Sequence, residues 1–130
     1  MRPSAQRARI ESVEEDEATL VVAGQRIRCF VAVCPRAVAA GDEVRVALTA
    51  MALDGLELRA AGDAAPGMEP LGGYRYRCTG RVAGGVVDVG GVLLEDESLG
   101  DEAAFDGRMV TFDVDRIDAD FAPDDDDAAD

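Results

Sequence analysis

The chain contains no histidine, lysine, tryptophan or asparagine, and all 13 of its basic residues are arginines. Each absence removes a chemistry. Without lysine there is neither a P-loop lysine nor a Schiff-base amine. Without histidine no Ser-His-Asp or Cys-His pair can be assembled, and His-containing zinc sites are excluded. Aromatics make up 5% of the sequence, so the core must be built mainly from Val, Leu and Ala. No apolar run approaches the roughly 18–20 residues that span a bilayer. The stretch 1–9 has basic residues with no apolar segment behind them, so no secretory signal is visible. Cys29, Cys34 and Cys78 form no CxxC pair. An odd cysteine count without a signal reads as reduced thiols in the cytoplasm.

What is present is enough for a folded body. The 130 residues are 48% hydrophobic, near the globular norm, and suffice for one domain or two very small ones. The formal net charge is −14 and is unevenly placed. From Glu95 to Asp130 there are 15 acidic residues and 2 arginines, while the preceding 94 residues are nearly neutral at −1. Residues 122–130 carry no large apolar side chain and read as a solvated, disordered acidic tail. Such lysine-free, acidic composition is also what GC-rich codon bias or adaptation to high salt produces.

The patterning is that of strands. Val44, Val46 and Leu48 alternate with Glu43, Arg45, Ala47 and Thr49, as do Val110, Phe112 and Val114 with Thr111, Asp113 and Asp115. This period of two is the mark of a half-buried strand. Further strands are expected at 8–14, 18–23, 25–33, 56–60, 74–82 and 86–94, with Gly24, Gly55, Gly84-Gly85 and Gly90-Gly91 as turns. Asp54-Gly55 is a hairpin signal. Short helical turns are expected only at 35–40 and near 98–105.

An offset of 66 places Val21-Val22-Ala23-Gly24 on Val87-Asp88-Val89-Gly90, Gly41 on Gly107, and Val44, Val46, Leu48 on Val110, Phe112, Val114. Each half then reads as three strands, an irregular connection, a glycine and a long strand. Through residues 35–46 in the first half and 105–114 in the second, each half resembles a small OB-type barrel. The resemblance is to a superfold and names no family. It implies an all-β protein of two OB-like antiparallel meander halves, as tandem barrels or one composite barrel. The expected divisions are 1–62 for the first half, 63–73 for a Gly/Pro/Ala linker, 74–121 for the second half and 122–130 for the tail. The last strand of the second half would fall on 120–127, an aspartate-rich stretch poor in packing residues.

Candidate sites are few. Asp113, Asp115, Asp118 and Asp120 form an acidic alternation, but the spacing is not that of an EF-hand loop. A solvated strand face with an ion pair to Arg116 or another neighbour explains it better. A glycosidase-type carboxylate pair would need an aromatic-lined cleft that six aromatics hardly supply. Gly80-Arg81-Val82-Ala83-Gly84-Gly85 lacks a nucleotide-loop spacing and reads as a hairpin turn. Tyr74-Arg75-Tyr76-Arg77, with Arg81 beyond, is the one aromatic-basic interleave. On a strand it would put two tyrosines on one face as a base-stacking platform. The bland account puts the tyrosines in the core and pairs the arginines with acids. Cys29 is either a small buried hydrophobe or a thiol made acidic by Arg28. Ser4, Ser12 and Ser98 lie in no nucleophile context.

These readings converge on recognition without catalysis, with no cofactor and no metal. A protein partner is expected for an adaptor, subunit or accessory factor. A second reading makes the chain an acidic nucleic-acid mimic or immunity-type inhibitor of a basic partner. A third makes it an OB-type nucleic-acid binder through Tyr74–Arg77, which the net charge disfavours. No membrane is expected as a partner, and the oligomeric state is left open.

Overall fold

The computed structural model describes residues 5–33, 37–53, 57–95 and 107–121, with the side chain of Val33 left out. Among the described residues every regular element is a strand, and the fold is all-β. The first three strands are β1 (Gln6–Glu14), β2 (Glu17–Val22) and β3 (Gln25–Val33), an antiparallel meander. β4 (Glu43–Met51) returns to pair with the start of β1, Gln6 opposite Val46 and Arg9 opposite Glu43. The strand that closes this set comes from the far end of the chain. β11 (Arg116–Asp120) lies between β3 and β4, parallel to the first and antiparallel to the second. The circuit β1-β2-β3-β11-β4-β1 is a closed five-stranded barrel. A three-strand meander, a returning fourth strand and a fifth strand parallel to the third constitute the OB pattern suspected from the sequence.

The intervening chain forms β5 (Arg59–Ala60), β6 (Gly67–Gly72), β7 (Arg75–Ala83), β8 (Val86–Val89), β9 (Val92–Glu95) and β10 (Met109–Val114). β7, β8 and β9 are again a meander, and β10 returns to pair with β7, Met109 opposite Arg81. The position beside β9 is taken by β4, parallel through Leu48–Leu94 and Thr49–Glu95. The chain leaving β4 then follows β10: the Asp115 N–H donates to Met51 O at 2.8 Å, β5 pairs with Val110 and Thr111, and the Ala61 N–H donates to Met109 O at 2.9 Å. Each half thus has its fifth position filled by the continuation of the other half's fourth strand. The two are interlocked in one sheet.

The two halves turn the same corner. In the first, the Ile10 N–H donates to Asp42 O at 2.8 Å and the Gly41 N–H to Ile10 O at 2.7 Å. In the second, the Val82 N–H donates to Arg108 O at 3.0 Å and the Gly107 N–H to Val82 O at 2.7 Å. Gly41 and Gly107, the pair matched by the offset of 66, have φ of +95° and +81°. A residue with a side chain at either position would have to adopt a left-handed conformation that L-residues disfavour.

Burial follows the alternation. β10 reads half-buried then buried along its whole length, with Val110, Phe112 and Val114 inward. Ile10, Leu20, Ile27, Val46, Leu48 and Ile117 fill the closed barrel, and they join Val82, Val87, Val89, Val92, Leu94 and Phe112 in a single core cluster. Val46, Ala47 and Leu48 are all fully buried where β4 exchanges β1 for β9 as its neighbour. Polar side chains also tie the halves together. Gln6 donates to Leu93 O at 2.7 Å and accepts from Leu93 N at 2.9 Å, so its amide acts as one rung of a ladder.

Several expectations are corrected. The stretch 63–73 is not only a connector, because β6 within it pairs with β7. The strand that closes the first half's barrel is 116–120, which buries Ile117 and Ala119 and leaves Asp118 and Asp120 half-buried, and residues 122–127 lie outside the described residues. The run 86–94 is divided by Gly90-Gly91 into β8 and β9. Residues 37–40 are not helical. The Asp54-Gly55 hairpin, the helical turn near 98–105, Cys34 and the tail 122–130 lie outside the described residues. No helix among the described residues is long and apolar enough to cross a membrane.

Candidate functional site

OB-type barrels take their ligands on the face of strands 2 and 3, flanked by the loops between strands 1 and 2 and between strands 4 and 5. Here the first of those loops is Glu15-Asp16, and the second contains the whole interlocked half. Alternation along β3 turns Ile27 and Cys29 into the barrel and leaves Arg26, Arg28 and Phe30 outside. The turn between β6 and β7 carries Tyr74 onto that outer face. The Phe30 and Tyr74 rings meet at a centroid distance of 4.5 Å with planes tilted by 45°. Arg28 lies 4.7 Å from the Tyr74 centroid, and Arg116 of β11 lies 5.0 Å from that of Phe30. The two rings are half-buried and sit between two guanidinium groups.

The charges on this face are already matched. Glu17 accepts from Arg28 Nε at 2.6 Å through one oxygen and from the Tyr74 hydroxyl at 2.6 Å through the other. The bonds from Arg28 and then Tyr74 hold the Glu17 carboxyl below its usual range. The same Glu17 bond raises the Tyr74 hydroxyl above its ordinary value. Arg116 Nε is 2.8 Å from Asp118 Oδ1 on the same strand, and Arg26 Nε is 2.6 Å from Glu11. Ion pairs with one partner or both open to solvent contribute little stability, and their effect here is to fix where the planar groups lie.

The residues singled out in the sequence divide between several places. Tyr76 is in the core and its hydroxyl accepts from the Arg28 backbone N–H at 2.8 Å, so the two tyrosines do not share a platform. Arg77 pairs with Asp113 at 3.0 Å, and that contact raises the arginine and lowers the Asp113 carboxyl from their ordinary values. Arg75 approaches Asp115 at 4.0 Å. Asp115 also accepts from the Leu53 backbone N–H at 2.7 Å. Arg81 donates to Gly107 O at 2.6 Å across the corner of the second half. Asp113 and Asp115 belong to the β10 end, whereas Asp118 and Asp120 lie on β11, so the four form no single cluster. No group of three or more Cys, Asp or Glu among the described residues is arranged to hold a metal.

Phe30, Glu17, Arg28 and Arg116 were not picked out from the sequence as a site. Phe30 opens the apolar run 30–33, and only its parity with Arg26 and Arg28 signals that it faces out. The two described thiols, Cys29 and Cys78, are buried. Burial is the largest cause that pushes Cys29 and Cys78 up to about 12. Arg28 does not acidify Cys29, because alternation puts the guanidinium on the opposite face of β3.

A shallow depression of about 590 Å³ lies on the other half, lined by Gly62, Pro66, Arg81, Asp88, Gly90 and Met109 among others. Its walls are mainly glycine, alanine and other uncharged residues, with Asp63, Asp88 and Arg81 as the charged side chains. The family model described as "Uncharacterised conserved protein UCP019853" matches residues 1–122, and the chain belongs to that family. No curated protein and no solved structure matches it.

Proposed function

We propose that this member of the UCP019853 family acts in the cytoplasm, without catalysis, by binding a protein partner on the outer face of β3 and β11. The observation that carries the reading is the Arg28–Tyr74–Phe30–Arg116 stack, whose arginines at the two ends are each paired with a carboxylate. Tyrosine and arginine held rigid on a partly exposed surface are the residue types that dominate protein–protein contacts. A nucleic-acid surface would instead keep its cations free for phosphates, and a net charge of −14 opposes a polyanion. The absence of histidine and lysine from the sequence, together with thiols pushed up to about 12, supports a role other than catalysis. The two described cysteines are free and buried, in keeping with a reducing compartment.

The test is affinity capture from native lysate with the full chain and with Tyr74→Ala and Phe30→Ala, each checked for native circular dichroism. The reading expects a protein retained by the parent chain and lost from both variants. Recovery of nucleic acid, or of a protein that all three chains retain equally, would overturn it.

A further inference from the structure

One end of the aromatic face carries a run of exposed acidic side chains. The β1–β2 turn carries Glu14, Glu15 and Asp16, all exposed and none in an ion pair among the described residues. The Val31 N–H donates to Asp16 O at 2.7 Å, which holds this turn against β3 immediately beside Phe30. The stack itself is balanced, since Arg28 and Arg116 face Glu17 and Asp118. The surface is therefore a neutral aromatic centre with an acidic rim on one side.

A complementary surface has the reverse layout. It needs a basic edge to meet Glu14–Asp16, and beside it flat groups that lie on the exposed parts of Phe30 and Tyr74. Guanidinium groups satisfy both demands, because they pair with carboxylates and stack on aromatic rings. Resting on the reading above, we infer that the occupant of this face is an arginine-bearing segment of a protein partner. The field of the whole chain, at −14, steers such a segment inward and raises its rate of encounter.

The probe is a short fluorescent peptide of alternating arginine and glycine. It is compared with its glutamate counterpart and with an oligothymidine of equal length, by anisotropy at about 50 and about 300 mM salt. The full chain should bind the arginine peptide. Phe30→Ala and Tyr74→Ala should each weaken it about tenfold, a loss of about 1.4 kcal/mol. The pair Glu15→Gln, Asp16→Asn should flatten the salt dependence, and Asp63→Asn, exposed on the other half, should change nothing. Should either ring variant fail to fold, Arg116→Gln, on an exposed side chain, takes its place with the same expectation. Absence of binding, or binding that falls no more with the ring variants than with Asp63→Asn, would overturn the inference. Oligothymidine bound in place of the peptide would overturn the protein-recognition reading beneath it. A captured protein that depends on Phe30 yet engages through a neutral or acidic segment would leave that reading standing and remove only the arginine.

Discussion

The interlocking of the halves makes a sharp prediction at Ile117. This residue follows the second half in sequence but is fully buried in the closed barrel, opposite Ala50 of β4. Ile117→Ala deletes three carbon atoms, about 2.4 kcal/mol at about 0.8 kcal/mol per buried methylene. The cavity left in a core of Val, Leu and Ala brings the total to about 2–5 kcal/mol, and Ile117→Val should cost about 0.5–1.5. Denaturant unfolding followed by circular dichroism measures the change in midpoint at constant slope. Location is tested by thiol labelling under native conditions, since Cys29 reports the closed barrel and Cys78 the other half. The Ala variant should speed exposure of Cys29, and because β4 runs on into the second half, Cys78 should follow. A change within about 0.5 kcal/mol, the range of a surface substitution, would refute the placement of β11. So would faster labelling of Cys78 alone.

The remaining predictions concern the corners, the ties and the charges. Gly41→Ala and Gly107→Ala meet no neighbour within 4 Å, so each should lower stability by the conformational cost alone, about 1–2 kcal/mol; equal melting points for variant and parent would contradict the positive φ. Gln6→Ala leaves the Leu93 N–H and carbonyl unpaired in a half-buried place and should cost about 1–3 kcal/mol by denaturant titration. Glu17 and Asp113 are held below their ordinary values of 4.5 and 3.8. Their stabilisation is complete above those values and is lost as pH falls through the lower folded-state values. The double variant Glu17→Gln, Asp113→Asn should therefore lose less stability on acidification than the parent, and an unchanged acid limb would show that the pairs carry none of it. Tyr74 is raised above 10.0, so its ultraviolet titration should run late, and Glu17→Gln should bring it down.

Much of this was legible in the sequence because period-two alternation reports one buried face directly. β2, β4, β7 and β10 could be read from their alternating apolar residues, and the glycines marked turns and both corners. β6 escaped because Gly67, Pro70 and Gly72 are turn-forming residues, and only pairing with β7 holds them extended. β11 escaped for a different reason. Its outward residues are arginine and aspartate, so Arg116-Ile117-Asp118-Ala119-Asp120 resembles solvated chain until β3 and β4 are placed on either side. The OB likeness survived this error since it rested on strand order and the glycine corners. The site was less legible. Parity identifies Arg28 and Phe30 as neighbours on one face, but the arrival of Tyr74 from 44 residues further along is a tertiary event. Reading Tyr74 and Tyr76 as one platform failed because Tyr74 sits in the turn that precedes β7.

Hydrogen–deuterium exchange of the full chain, with and without the protein it captures, locates the recognition surface. Exchange should slow at 15–17, 28–31, 73–75 and 116–119, the segments around Phe30 and Tyr74. Protection confined to β5, β6 or the 62–66 loop, with those segments unchanged, would contradict that placement.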